Sequence, residues 1–535
     1  MQNPAVEAPR ARVPALPSAA LLALPFLLAL AWAMDFLVDD AFISFRYGRH
    51  LADGHGLVWN IGETPPVEGF SNFLWTVLCA GLELAGLDPQ LWTRLVGVAC
   101  AVALVVLVAR VATARLSSDT SARLATLCAA TLAPIAVWST SGLETMACAL
   151  CVFGVFERLV VERGVPRTLG ASVWAALAVL VRADGFVWVA MSGVAALAAA
   201  DAGERRALWR AVLVTAAATL ATALAYLAFR YAYFEALQPN TARIKVAFGT
   251  KYLLRGAQYV ASLLLCVASV PVVLGGSLAC LRSERSGLAR GALVFCASAF
   301  AYLVVLGGDW MMMYRMLVPA MPFVALALGA WLATFASAAV QLGFGVPLVI
   351  AGALPCFDLH LVPQKLRELA HFRWNQEFRS EHAVWDKGVV DIRDWIEVGR
   401  ALAAATRPGE SIVLGNIGAF GYFASELVVL DTHGLTNREP LEPLDPAARE
   451  MPGHDRKIGF DAFAKYQPTY FNARIVDAAA PWGILPKAWQ RLDESGAIAG
   501  PNDAALAKYE FVLAPLEPEQ GFRPGTALLL IRYRR

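Results

Sequence analysis

Two carboxylates, Asp39 and Asp40, stand side by side where a long apolar run ends, in FLVDDAFISFRYGRHLADGHGLVWN. Two close carboxylates cannot both ionise freely, so one is pushed towards the range where it can take a proton from a hydroxyl group. The pair is a candidate general base with a neighbour that sets its pKa or binds an acceptor. It also fits an acidic helix end solvated at a membrane rim. Other ionisable groups in apolar surroundings bear on that choice. Arg182 and Asp184 lie in LVRADG, Asp309 and Arg315 in GGDWMMMYRMLVPAMP, and Glu144 in STSGLETM. Each also fits a structural ion pair that fixes helix register. An ionisable side chain at membrane depth costs about 2.5–3.5 kcal/mol on insertion scales, which makes it a functional candidate. Arg243 and Lys245, in LQPNTARIKVAFG, add cations. A carboxylate that activates a hydroxyl, beside cations at an embedded cavity, suits transfer from a lipid-borne phosphate.

Apolar elements must position these groups. The chain has 535 residues, of which 58% are hydrophobic and 16% charged, and its mean hydropathy is positive. That composition implies a polytopic α-helical membrane protein. A net charge of +2 carries no nucleic-acid footprint. All nine cysteines lie in apolar segments between Cys79 and Cys356. The tail beyond them therefore has neither a disulfide framework nor a thiolate metal site, and the cysteines read as small hydrophobes.

Apolar segments recur at 17–38, 90–109, 123–140, 143–160, 168–181, 185–200, 207–229, 256–279, 290–306, 317–337 and 343–357. They imply about eleven spans, the shorter ones tilted, broken or buried in protein. The first follows Arg10 and Arg12 and reads as a signal anchor rather than a cleaved peptide. Basic loops carry Arg110, Arg115 and Arg123, then Arg158, Arg163 and Arg167, then Arg205, Arg206 and Arg210, then Arg282, Arg285 and Arg290. If these loops and the N-terminus are cytoplasmic, the apolar stretch 73–87 is a re-entrant or surface helix. Residues 38–89, 139–144, 182–184, 231–259 and 307–315 then share the external side. Nearly all the unusual charges are gathered there. The expected organisation is a transmembrane domain over 1–358, with 38–89 as its first external loop, and an extracytoplasmic α/β domain over 359–535. In that domain 389–406 reads as an amphipathic helix, and 411–415, 427–431, 469–472, 509–514 and 526–533 read as strands.

A succession of motifs carries a resemblance: VDDAFISFRYGRHLADGHGLVWN, PVEGFSNFLW, STSGLET, LVRADG, QPNTARIK, GGDWMMMYRMLVPAMP and NIGAFGYFASELVVLDTHGLTN. In order and spacing, over about residues 36–480, the chain resembles the bacterial arabinofuranosyltransferase-type members of the GT-C glycosyltransferases, the family of terminal β-1,2-arabinofuranosyltransferases. The resemblance implies a multi-pass enzyme of the bacterial cytoplasmic membrane. It would take a sugar, arabinofuranose, from a polyprenyl-phosphate donor to a cell-envelope glycan or glycolipid at the external face, among membrane lipids and without nucleic acid. It implies that Asp39 is the base and that Asp40 orients acceptor or base. Arg46, Lys245 and Arg315 would hold the donor phosphate. Glu68, Asn72, Glu144, Arg182, Asp184, Asn240 and Asp309 would line the sugar pockets.

A polyprenyl phosphate is already a competent leaving group, so charge stabilisation matters more than a general acid. No cofactor is required by this logic, although the acidic pair could bind a divalent cation. A single base with direct displacement inverts, so a β-linkage made from a β-linked arabinosyl phosphate calls for more than a lone base. Two other readings are a GT-C transferase of mannose or aminoarabinose and a flippase of lipid-linked sugars. A transporter favours charges through the midplane and a repeated architecture, and the chain shows neither clearly.

In the tail, Gly415, Gly418 and Gly421 in GNIGAFG resemble a dinucleotide loop. The spacing is G-x-x-G-x-x-G, so tight turn packing fits better. His433, in LDTHGLTN, reads either as an acceptor contact or as a surface histidine. His454, Asp455 and Arg456 in PGHDRKIG divide the same way.

Overall fold

A computed structural model describes residues 17–245, 249–282, 287–441, 452–453, 455–456, 458, 462–463, 465–479 and 509–533. Arg10, Arg12, Arg285 and His454 lie outside the described residues, as do the side chains of Lys245 and Arg282.

Every apolar segment becomes a helix or a broken pair of helices. The chain runs through α1 (Ser18–Ala33), α2 (Asp39–Ala52), α3 (Phe73–Leu84), α4 (Pro89–Arg115), α5 (Asp119–Thr131), α6 (Ala133–Trp138), α7 (Thr145–Val161), α8 (Gly164–Val181), α9 (Gly185–Ala199) and α10 (Arg205–Phe234). It continues through α11 (Asn240–Lys245), α12 (Thr250–Cys266), α13 (Ser269–Ala279), α14 (Gly287–Leu306), α15 (Met321–Leu332) and α16 (Ala338–Ala353). Among the described residues six helices are long and apolar enough to cross a membrane, or seven when α12 and α13 count as one span bent by 92°. The segments at 123–140 and 256–279 are each two helices. The first breaks at Leu132, just before Pro134, which lacks an amide hydrogen and is tolerated only at a helix start. At 12 residues α3 is too short to cross a hydrocarbon layer of about 30 Å.

Two ends of the bundle are distinct. At one end the basic loops meet. Arg110 and Arg158 share Glu162, Arg115 reaches the carbonyls of Val160 and Ala199, Arg163 pairs with Glu204, and Arg290 reaches the carbonyl of Ala198. At the other end lie α2, α3, the turns before α7 and α9, and the segment after α14. There the C-terminal domain docks. It comprises α17 (Gln364–Glu368), α18 (Glu381–Ala405), β1 (Ser411–Leu414), α19 (Gly418–Phe423), β2 (Val428–Asp431), β3 (Tyr470–Asp477), β4 (Tyr509–Pro515) and β5 (Thr526–Tyr533). The sheet order is β2-β1-β3-β5-β4, with β1 parallel to β2 and β3, and β5 antiparallel to β3 and β4. Each strand starts within a residue of where its β-branched and aromatic run begins, because central strands bury continuous apolar stretches. The Ser380 hydroxyl caps α18 by accepting from the amide of Ala383.

Candidate active site

Helix α2 is amphipathic and lies across the end of the bundle, with Asp39 and Asp40 in its first turn, where carboxylates complement the helix dipole. The two aspartates point to different neighbours. Asp40 and Ser44, one turn apart on one face, line a cavity of about 230 Å³. The cavity is walled by Asn72 at the start of α3, Arg182 and Asp184 between α8 and α9, Tyr302 on α14, and Asp309, Trp310 and Arg315 beyond it. Leu435 of the C-terminal domain closes it, with Pro452 and Gly453. The loops that the arginine pattern assigned to one face thus meet in one place.

A buried carboxylate organises the cationic wall. Glu144 is 1% exposed and sits behind the cavity. Its Oε1 accepts from Arg315 Nη2 at 2.8 Å and from Arg182 Nη1 at 3.4 Å, and its Oε2 accepts from Asn72 Nδ2 at 2.9 Å. Asp184 holds Arg182 from the other side, at 2.8 Å from Nε, and itself accepts from Trp188 Nε1 and the Tyr302 hydroxyl. The Asn72 amide oxygen accepts from Ser44 and Thr76, which ties the wall back to the helix of Asp40. Arg182 and Arg315 keep 14% and 12% of their side chains exposed, and both line the cavity.

Arg315 stands on an unusual backbone. Met313 and Tyr314, just before it, both have left-handed φ values, 48° and 54°. Such conformations cost non-glycine residues of order 1–3 kcal/mol each and need a surrounding that holds them. Here the Met313 amide donates to Glu381 Oε2 at 2.7 Å, Trp138 Nε1 donates to the Met312 carbonyl, and the Tyr314 hydroxyl meets Ser262. Glu381 in turn is clasped by Arg373, which also bonds the carbonyls of Trp310 and Met311.

Several expected roles are corrected. Asp39 does not face the cavity. Its carboxylate accepts from the amides of Gly418 and Ala419 at 3.1 and 2.8 Å, at the start of α19. Burial pushes its pKa up to about 6, against the pull of those two amides. Asp40 lines the cavity and Asp39 does not, so the two aspartates have different surroundings. Among the described residues no group of three or more His, Cys, Asp or Glu is placed to hold a metal ion. Arg46 is not a phosphate ligand. It is 0% exposed and its guanidinium donates to the carbonyls of Trp59, Gly421, Ala424 and Leu427 and to Asn60 Oδ1. Glu68 is buried against Arg230 and Tyr226. The Asn240 side-chain amide donates to the carbonyls of Gly434, Leu435 and Asn437, holding the loop after β2, while its neighbours Pro239, Thr241 and Ala242 line the cavity. His433 packs beside Gly415, outside the cavity lining. Of the PGHDRKIG stretch, Asp455 makes a two-pronged pair with Arg255 at 2.8 Å.

Among the polar and aromatic cavity residues, sequence reasoning missed Ser44, Phe70, Ser71, Thr241, Tyr302 and Trp310. Ser44 was findable, because position i+4 from Asp40 shares its helix face. Tyr302 carried no such signal inside a uniformly apolar helix. The dinucleotide-like glycines serve close packing. A Cβ at Gly418 would come 2.0 Å from the carbonyl oxygen of Asp39, and one at Gly421 would come 2.9 Å from the Trp59 ring.

Three comparisons bear on this arrangement. Residues 378–513 match a family described as Domain of unknown function (DUF8728). The chain is 27% identical over 356 residues to the terminal β-(1→2)-arabinofuranosyltransferase of Corynebacterium glutamicum, a match that covers 56% of this chain and 49% of that protein. The chain thus spans about half the length of the curated relative it matches. In fold it is similar to the crystal structures of ArnT from Cupriavidus metallidurans. In complex with undecaprenyl phosphate, that protein matches with a TM-score of 0.56 at 13% identity, covering 96% of this chain and 97% of the other. The apo form matches with a TM-score of 0.55. This chain is a multi-pass membrane protein with the GT-C glycosyltransferase fold and a resemblance in sequence to the terminal arabinofuranosyltransferases.

Proposed function

We propose that the protein is a glycosyltransferase that moves a sugar, arabinofuranose, from a polyprenyl-phosphate donor to a cell-envelope glycan. The reaction would take place at the external face of a bacterial cytoplasmic membrane, with the C-terminal domain outside. The observation that carries the reading is the cavity in which Asp40 shares walls with Arg182 and Arg315. A relative that forms a β-(1→2)-arabinofuranosyl bond and a fold neighbour seen with undecaprenyl phosphate support the choice of sugar and lipid.

In this reading the acceptor hydroxyl gives its proton to Asp40 as its oxygen bonds to the anomeric carbon. The bond from that carbon to the phosphate oxygen breaks, and the electron pair leaves with the phosphate. Arg182 and Arg315 take up the charge that develops there. They are held in place beforehand, so little reorganisation is needed as the charge forms. Asp309 has a buried Oδ2 with no hydrogen-bond partner among the described residues. Buried polar atoms are nearly always paired, so a sugar hydroxyl is assigned to it. Neither Asp40 nor the arginines require a metal for these steps. One base acting in one displacement inverts the anomeric centre, so a β-linked arabinosyl phosphate would give an α-linkage by this route, and the relative's β-linkage supports the sugar rather than the stereochemical course.

The test is transfer from labelled polyprenyl-phosphate arabinose in membranes containing the protein. Activity in the wild type and its loss in Asp40→Asn are expected. Transfer untouched by Asp40→Asn overturns the base assignment, and no transfer from any polyprenyl-phosphate sugar overturns the reading as a whole.

A further inference from the structure

Helix α2 has two faces with different tasks. Asp40 and Ser44 look into the cavity. Asp39, Phe42 and Arg46, three and four residues apart, form a second ladder. That ladder fits α19 from end to end. Asp39 takes the amides of Gly418 and Ala419, at the positive end of α19. Phe42 packs on the rings of Tyr422 and Phe423, at 5.7 and 6.0 Å between centroids. Arg46 takes the carbonyls of Gly421 and Ala424, at the negative end, and that of Leu427 beyond it. Arg49, one turn on, bonds the Tyr422 carbonyl and lies over its ring. The spacing matches. Two turns of α2 between Asp39 and Arg46 rise about 10 Å, and the six residues of α19 span about 9 Å.

We infer that the C-terminal domain is a clamp on α2 that sets the position of Asp40, with Asp39 and Arg46 as its positioning residues. This rests on the function proposed above, in which Asp40 takes the acceptor proton. The geometry gives a reason for the adjacent aspartates. A peptide unit pinned through Asp39 fixes the backbone from which Asp40 projects. Transfer geometry is sensitive to displacements of about 1 Å. The clamp belongs to a part of the chain that supplies only Leu435, Pro452 and Gly453 to the cavity lining among the described residues.

Gly418→Ala tests this from the far side. Its Cβ would meet the Asp39 carbonyl oxygen at 2.0 Å, and Gly418 is not part of the cavity lining. Gly418→Ala, Asp39→Ala, Asp39→Asn and Arg46→Met are compared with wild type in the full chain in lipid nanodiscs. Amide hydrogen exchange over 39–47 and 418–427 is measured, together with kcat and donor KM. The expected result for Gly418→Ala, Asp39→Ala and Arg46→Met is faster exchange in both segments. For the same variants kcat should fall about tenfold or more, with donor KM within about twofold of wild type. Asp39→Asn, which keeps an acceptor for one amide, should recover part of the loss. The inference is overturned if 39–47 exchanges as in wild type while 418–427 loosens, or if kcat survives the loosening of both. Exchange needs no turnover, so the clamp is judged even if the proposed reaction fails. Conversely, full activity of Asp40→Asn brings down the base assignment and leaves the exchange result standing.

Discussion

Two clusters of buried charge lie at the same end of the helix bundle and differ in what satisfies them. Around Asp39 and Arg46 the partners are backbone amides and carbonyls, most of them in and beside α19, with Asn60 Oδ1 as a side-chain acceptor for Arg46. Around Glu144, Arg182, Asp184 and Arg315 the partners are side chains, and the arginines line an open cavity. A charge tied to backbone holds the fold. A charge held by other side chains at a cavity wall is oriented yet available. Both clusters combine arginine with acidic residues, so residue type does not distinguish a strut from a ligand. The identity of the partners does.

Four measurements break or sharpen that contrast. The largest effect is expected at the open cluster, where Asp40→Asn should lower transfer about 10²–10⁴-fold, the usual contribution of a general base, with little change in melting temperature. A melting point that collapses with activity would move Asp40 into the closed class. Next, Arg315→Met should cost about 1.5–3 kcal/mol of stability, because it removes a charged hydrogen bond to the buried Glu144 carboxylate and leaves it Asn72 and Arg182, and should abolish transfer. Adding Glu144→Gln should return part of the stability and none of the transfer, and recovered transfer would show that Arg315 only neutralises Glu144. At the closed cluster, Arg46→Lys should cost about 1.5–3 kcal/mol, because an ammonium cannot reproduce the planar fork that reaches four carbonyls. Thermal unfolding reads it, and an unchanged midpoint would deny Arg46 its structural role.

The smallest effect is a pH slope. Burial raises the Asp39 pKa from 3.8 to about 6, so between those values the folded protein keeps a proton that the unfolded chain releases. Its contribution to stability is full below the lower value and is lost as pH rises through the higher one, at no more than about 1.4 kcal/mol per pH unit. Asp39→Asn should flatten the fall of melting temperature over that window. An equally steep fall in the variant would place the titration elsewhere.

Much of the fold was legible because its signals are local. The apolar runs mark the helices, and the strand starts in the tail coincide with β-branched and aromatic runs. Loop arginines sort the loops into two ends, and the cavity gathers those assigned to one of them. The breaks at Leu132 and in the α12–α13 pair were less visible, because hydropathy averages over a window and a bend depends on what the helix packs against. Within the site, Asp40, Arg182, Asp184, Asp309 and Arg315 were picked out as charges in apolar surroundings and Asn72 through the family resemblance, and they converge. Asp39, Arg46, Glu68, Glu144, Asn240 and His433 carried similar signals and lie outside the cavity lining.

By itself the sequence determined that the protein is a bundle of apolar helices with a small α/β tail and that its costly charges belong to one end. Hydrophobic periodicity, length and loop charge act along the chain and need no knowledge of partners. Only the tertiary structure decided which aspartate faces the cavity and which grips α19. Neighbouring residues on a helix point about 100° apart, and which direction holds the cavity is set by segments 30 to nearly 400 residues away.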